Sequence, residues 1–320
     1  MDLLITNLLS PIVLAFVLGI VAGLIKSELE LPDAVLKLLS IYLLLSIGLK
    51  GGVELAKTSF AEVGALIGVA VALTVAIPLA AFLVLRRLAR FDAANAAAVA
   101  AHYGSVSSVT FLAAMSFANA MGDRAPGYMT AVVAIMEWAV IVALVLGRWS
   151  MGRAEGAMDL RGLAVETLRG RGVLLLTGGM VIGLLISDSG WNQIAPVYDD
   201  LFRGLLMIFL LEMGMSAARQ LRSFAQVGAF MTSFAILMPI VNGAVGVALG
   251  SLIGLGVGGA FVLGAVCASA SYIDAPAACR AALPQANPGI YLTASLGVTF
   301  PFNMLAGLPL YWQLAKWLAG

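Results

Sequence analysis

Two polar interruptions in otherwise apolar runs are the places where this sequence could do chemistry. The first reads His102, Tyr103, Gly104, Ser105, Val106, Ser107, Ser108, Val109, Thr110; the second reads Ser269, Ala270, Ser271, Tyr272, Ile273, Asp274, Ala275, Pro276. Gly104 permits backbone conformations that other residues resist. Ser107 or Ser108 can N-cap a following helix, and Asp274 can do the same with Pro276 in the first turn. Helices broken in this way offer free N–H groups and a positive dipole end to an anion. The carbonyls that end the preceding segments suit a hard cation such as Na⁺. The bland alternative is that the hydroxyls bond back to the preceding turn and the small residues permit tight packing.

Two acids, Glu137 and Asp274, lie within apolar runs where charge is costly, which makes them candidate Na⁺ ligands; a structural hydrogen bond or a helix cap is the competing role. Thr299 and Asn303 flank Pro301, which is expected to interrupt its helix and free carbonyls, so both are placed to face the second break and to add oxygens to the cation. Glu212 also sits in an apolar run, where a conformational latch or an interface contact fits it as well as a site does. His102, the only histidine, stands one turn before the first break and is placed behind the site, where a packing role is the competing reading. With one histidine and neither an HExxH nor a GxSxG motif, metal hydrolysis and Ser–His chemistry lack their parts, so an enzyme is not expected.

Such residues can be held in an apolar setting only by membrane-spanning elements. The 320-residue chain is 62% hydrophobic and 11% charged, too few charges to cover a soluble globule of this size. Its net charge of +1 and the absence of a basic, aromatic-interleaved stretch exclude a nucleic-acid footprint. Cys267 and Cys279, both in apolar stretches, do not make a disulfide framework. The N-terminal apolar stretch has no basic leader and no small-residue cleavage pattern, and reads as the first span. Ten candidate spans follow from the apolar runs, at residues 10–26, 34–56, 62–85, 94–119, 126–147, 172–188, 199–217, 224–250, 257–283 and 288–316. Trp191, Trp312 and Trp317 read as interfacial anchors.

The two halves repeat. GIVAGLIKS (Gly19 to Ser27) matches GMVIGLLIS (Gly179 to Ser187), SFAEVGAL (Ser59 to Leu66) matches SFAQVGAF (Ser223 to Phe230), and YMTA (Tyr128 to Ala131) matches YLTA (Tyr291 to Ala294). Residues 1–147 and 172–320 are therefore expected to be two five-span repeats, joined by a polar linker at 148–171. An odd span count inverts the second copy, the arrangement of many secondary transporters. Of the 18 basic residues, 13 fall on the linker's side and 5 on the other, so the positive-inside rule makes the linker cytoplasmic and both termini external.

The stretches GSVSSVTFLAA (Gly104 to Ala114), LFRGLLMIFLLEMGM (Leu201 to Met215) and SASYIDAPAACRAALPQANPGIYLTAS (Ser269 to Ser295) resemble the sodium-dependent bicarbonate transporter family, the SbtA-like proteins of cyanobacterial carbon concentration. The resemblance extends over nearly all ten spans. It implies an all-α polytopic fold with crossed, broken helices 4 and 9, core and gate domains, a homotrimer and elevator-like movement of the core. It also implies that bicarbonate is held at the crossing by Gly104, Ser105, Ser107, Ser108 and Thr110 of the first repeat and Ser269, Ser271 and Tyr272 of the second. Na⁺ lies beside it, with Asp274, Glu137 and Thr299 at matching positions. Tyr272 stands where the family has an acid. A cytoplasmic PII-like regulator is a candidate partner, although the central linker is short.

The expectation is a multi-pass protein of a bacterial inner membrane that imports bicarbonate or a similarly small anion with Na⁺ as the coupling ion. A Na⁺-coupled carrier of a larger organic anion is the nearest alternative. An anion channel or an intramembrane enzyme is more remote.

Overall fold

A computed structural model of the protein describes residue 5 and residues 7–152, 160–221 and 228–320. Arg153, Arg222, part of the linker and most of the second SFAQVGAF copy lie outside the described residues. Every regular element among the described residues is helical. In chain order these are α1 (Pro11–Leu24), α2 (Asp33–Ala56), α3 (Phe60–Arg87), α4 (Ala93–Gly104), α5 (Ser108–Ala120), α6 (Thr130–Met136), α7 (Ala139–Met151), α8 (Leu160–Arg169), α9 (Arg171–Leu185), α10 (Asp188–Ala195), α11 (Phe202–Leu221), α12 (Gly228–Leu252), α13 (Gly256–Cys267) and α14 (Ala275–Ala282). A final helical run, α15, covers Pro288–Ala319.

Among the described residues, seven helical stretches are long and apolar enough to cross a membrane, and α1, α9 and α13 are shorter apolar helices. The protein is thus a polytopic helical membrane protein. Local chemistry sets the helix starts. Ser10 accepts from Val13 N–H ahead of α1 with Pro11 at its first position, and Asp92 accepts from Asn95 N–H at 2.8 Å ahead of α4. Ser59 and Glu62 form a reciprocal cap on α3, the hydroxyl reaching Glu62 Oε1 at 2.7 Å.

Two helix pairs cross at very short range, α1 with α11 and α2 with α9. A β-carbon on Gly19 would land on Leu211 O and one on Gly214 on Phe16 O; in the other pair, Gly52 faces Met180 O and Gly183 faces Leu49 O. Within a bilayer apolar burial drives no association between helices, so backbone-to-backbone packing of this kind supplies the attraction. The remaining helices surround the two broken ones. The alanine-rich α4 lies against α3 and α7, with Ala96 to Ala101 fully buried, while α13 lies against α12 and the C-terminal part of α15.

Two sequence expectations are corrected here. Pro301 does not break its helix, because π turns at Thr293–Thr299 and Asn303–Gly307 absorb the missing N–H and let α15 continue. Trp312 is not an interfacial anchor. It is 3% exposed and packs edge-on against Phe117 and Phe261, whereas Trp317 is exposed.

Candidate functional site

The chain between α4 and α5 and that between α13 and α14 come together at the centre of the molecule. Ser107 N–H donates to Ser269 Oγ at 2.8 Å, and Ser271 N–H donates to His102 O at 2.7 Å, so each break satisfies part of the other. Ser269 Oγ passes its own proton to Val266 O at 2.7 Å. Ser107 is the N-cap of α5 that the sequence predicts, accepting from Thr110 N–H at 3.2 Å. That cap leaves the Ser108 and Val109 N–H groups, which no carbonyl within the helix can reach, at the positive end of α5.

Beside these groups lies a cavity of about 20 Å³, enough for one or two water-sized guests. Ser107, Ser108, Ser271, Tyr272, Asp274 and Glu137 line it from one side. From α2 and α11 come Ser40, Leu43, Leu44, Ile47 and Phe209, none of which the sequence marked, since a serine among leucines carries no signal. The Tyr272 hydroxyl is buried and makes no hydrogen bond. Ile47 and Leu112 separate this cavity from a vestibule of about 740 Å³, into whose lining Lys50, Arg124 and Arg203 contribute positive charge and Glu54, Asp199 and Asp200 negative charge.

The two acids converge. Glu137 is 2% exposed; its Oε2 accepts from Ser105 Oγ at 2.7 Å and its Oε1 has no partner. Asp274 Oδ1 accepts a long hydrogen bond, 3.4 Å, from Gly172 N–H in the first turn of α9. A β-carbon on Gly172 would stand 2.5 Å from Asp274 Oδ2 and 3.5 Å from Glu137 Oε1, so the carboxylates lie within about 6 Å of each other. Two acids this close either share a proton or are held ionised by a nearby positive charge, a part that Arg171 plays for Asp274 in this structure. Hard carboxylate and hydroxyl oxygens, with Glu137 Oε1 free of any hydrogen bond, suit an alkali cation.

Other expected residues are used differently. Gly104 ends α4 without any left-handed φ; it is needed because a β-carbon there would meet Pro78 of α3 at 2.7 Å. Asp274 holds the N-cap position of α14 but does not cap it, because its carboxylate points to α9; Ser271 Oγ takes the Ala275 N–H instead. Thr299 donates to Ala235 O at 2.7 Å and accepts from Tyr103, while Asn303 Nδ2 donates to Ala268 O at 2.8 Å and its Oδ1 accepts from Tyr311. Both thus brace the broken helices and do not line the cavity. Thr110, Ser105 and Ser269 likewise stand behind it. His102 bonds Ala98 O at 2.7 Å and stacks on Tyr291, behind the first break. Glu212 is paired within its own helix, with Ser216 and Arg219. Cys267 and Cys279 are free and buried.

A family model described as the Na⁺-dependent bicarbonate transporter superfamily matches residues 11–316, almost the whole chain. Among curated proteins, none matches the chain.

Proposed function

The chain belongs to the Na⁺-dependent bicarbonate transporter superfamily, and from that membership we propose that it carries bicarbonate, or a similarly small anion, together with Na⁺ across a bacterial inner membrane. The anion binds at the crossing of the breaks, against the Ser108 and Val109 N–H groups and the hydroxyls of Ser107, Ser271 and Tyr272. Na⁺ binds at Asp274 and Glu137. The observation that carries this reading is the pairing, around one small cavity, of a helix N-terminus with two convergent carboxylates, Glu137 buried and Asp274 partly buried. One feature attracts an anion and the other requires a cation, so each guest favours the other's binding.

In this reading the seven long and three shorter apolar helices are ten spans in two inverted repeats, residues 1–147 and 172–320. The exchange of partners supports it: α1 lies on α11 as α9 lies on α2, the relation that a two-fold axis in the membrane plane produces. Helices α1, α2, α9 and α11 form a gate domain. The others form a core that moves against it as an elevator, with the linker cytoplasmic and the protein assembled as a trimer.

Labelled bicarbonate uptake into proteoliposomes under an imposed Na⁺ gradient tests the proposal. Uptake is expected to collapse when K⁺ replaces Na⁺; unchanged uptake would refute Na⁺ coupling.

A further inference from the structure

Asp274 belongs to one of the broken helices, whereas its hydrogen-bond donor, Gly172, belongs to α9, which packs on α2. The contact lies on the linker side of the cavity, opposite the vestibule, and the adjoining Arg171 brings a positive charge to the same carboxylate. Gly172 is buried there, and the space its missing side chain leaves is taken by Asp274 Oδ2 at 2.5 Å and Asp274 Cγ at 3.1 Å. Glu137 Oε1, buried and unpartnered, faces the same point.

We propose that the first turn of α9 is a latch that competes with the transported cation for Asp274. The first turn of α9 fills the point between the two carboxylates, its N–H on Asp274 Oδ1 and its Cα beside Asp274 Oδ2 and Glu137 Oε1, so a cation seated there takes the space of Gly172 and repels the α9 N-terminus, whose dipole end is positive. In the latched state this contact closes the linker side, while on the opposite side only Ile47 and Leu112 stand between the cavity and the vestibule. Loading with the cation releases the seal and frees the broken helices to move past α2 and α9. The cation therefore acts on the gate at the residue that binds it, with no relay between distant sites. This inference rests on Asp274 and Glu137 being the cation ligands.

Two measurements test it. The first is equilibrium ²²Na⁺ binding to the purified full-length protein carrying Gly172→Ala or Asp274→Asn. The added methyl of Gly172→Ala prevents the latch from seating, so half-saturating Na⁺ is expected to fall about threefold or more; Asp274→Asn is expected to abolish binding. The second is the spin-label distance between Leu174→Cys on α9 and Ala281→Cys on α14, both exposed, the native cysteines being buried. That distance is expected to lengthen as NaCl replaces choline chloride. If Asp274→Asn leaves ²²Na⁺ binding intact, the cation assignment itself fails. If Asp274→Asn abolishes binding but Gly172→Ala leaves it unchanged or weaker, the latch is refuted. Should Gly172→Ala not fold, the distance decides: no change at saturating Na⁺ overturns the proposal.

Discussion

Replacing Glu137 by Gln separates a cation site from a structural carboxylate, because the two roles predict opposite signs. The amide keeps an acceptor for Ser105 Oγ and removes one of two charges that lie within about 6 Å of each other. At an effective dielectric constant of about 20, two full charges about 6 Å apart repel by about 3 kcal/mol, more if they lie closer, and less to the extent that one acid already holds a proton. Glu137→Gln is therefore expected to raise the melting temperature of the detergent-solubilised protein in Na⁺-free buffer. Saturating Na⁺ gives the opposite result. At 100 times its dissociation constant, a ligand stabilises the native state by about 2.7 kcal/mol, a gain that the wild type should show and the variant should lose. Both quantities are readable in one thermal-unfolding series, with choline in place of Na⁺ as the reference. If the variant melts lower without Na⁺ and still gains the wild-type increment with it, Glu137 is a partner for Ser105 and nothing more, and the paired-carboxylate argument falls.

Other substitutions probe the neighbouring groups. Ser269→Ala orphans the Ser107 N–H while Val266 O keeps the Ser269 N–H, so a loss of about 1–3 kcal/mol in unfolding stability is expected; a change below 0.5 kcal/mol would mean that the interlock is not needed. Tyr272→Phe removes a hydroxyl that has no protein partner, so the melting temperature should hold while half-saturating bicarbonate in uptake assays rises. Gly52→Leu drives a side chain into the backbone of α9 at Met180, and size-exclusion chromatography is expected to show aggregation in place of a monodisperse peak. Arg124→Gln in the vestibule should slow uptake most at low ionic strength, where screening is weakest, and its effect should shrink as salt is raised.

The site was legible in the sequence where chemistry is local. Polar residues interrupting an apolar run have few uses in a membrane, and the Ser107 cap needs only the three residues that follow it. Tertiary contacts were not legible. Asp274 looked like a cap because the sequence shows only its own helix, whereas its partner is an unremarkable glycine 102 residues away. Thr299 and Asn303 looked like cation ligands because both were expected near the second break. They are near it, with hydrogen bonds to the backbone carbonyls of Ala235 and Ala268, and neither lines the small cavity. Pro301 was expected to break its helix because the rule for an isolated proline does not include the wider π turns on either side.

The interlocked breaks also constrain how the protein is made. Ser107 N–H finds its acceptor 162 residues further along the chain, and His102 O waits for Ser271. At about 5–20 residues per second of synthesis, roughly 8 to 32 seconds separate the insertion of the first break from the arrival of its partner. During that interval the nascent first half holds open polar backbone at membrane depth, which hydrocarbon does not tolerate. The first half must therefore be sheltered by the insertion machinery or by trapped water until the second half arrives. Ribosome stalling or truncation after residue 152 should yield a degraded product, not a half-barrier resident in the membrane.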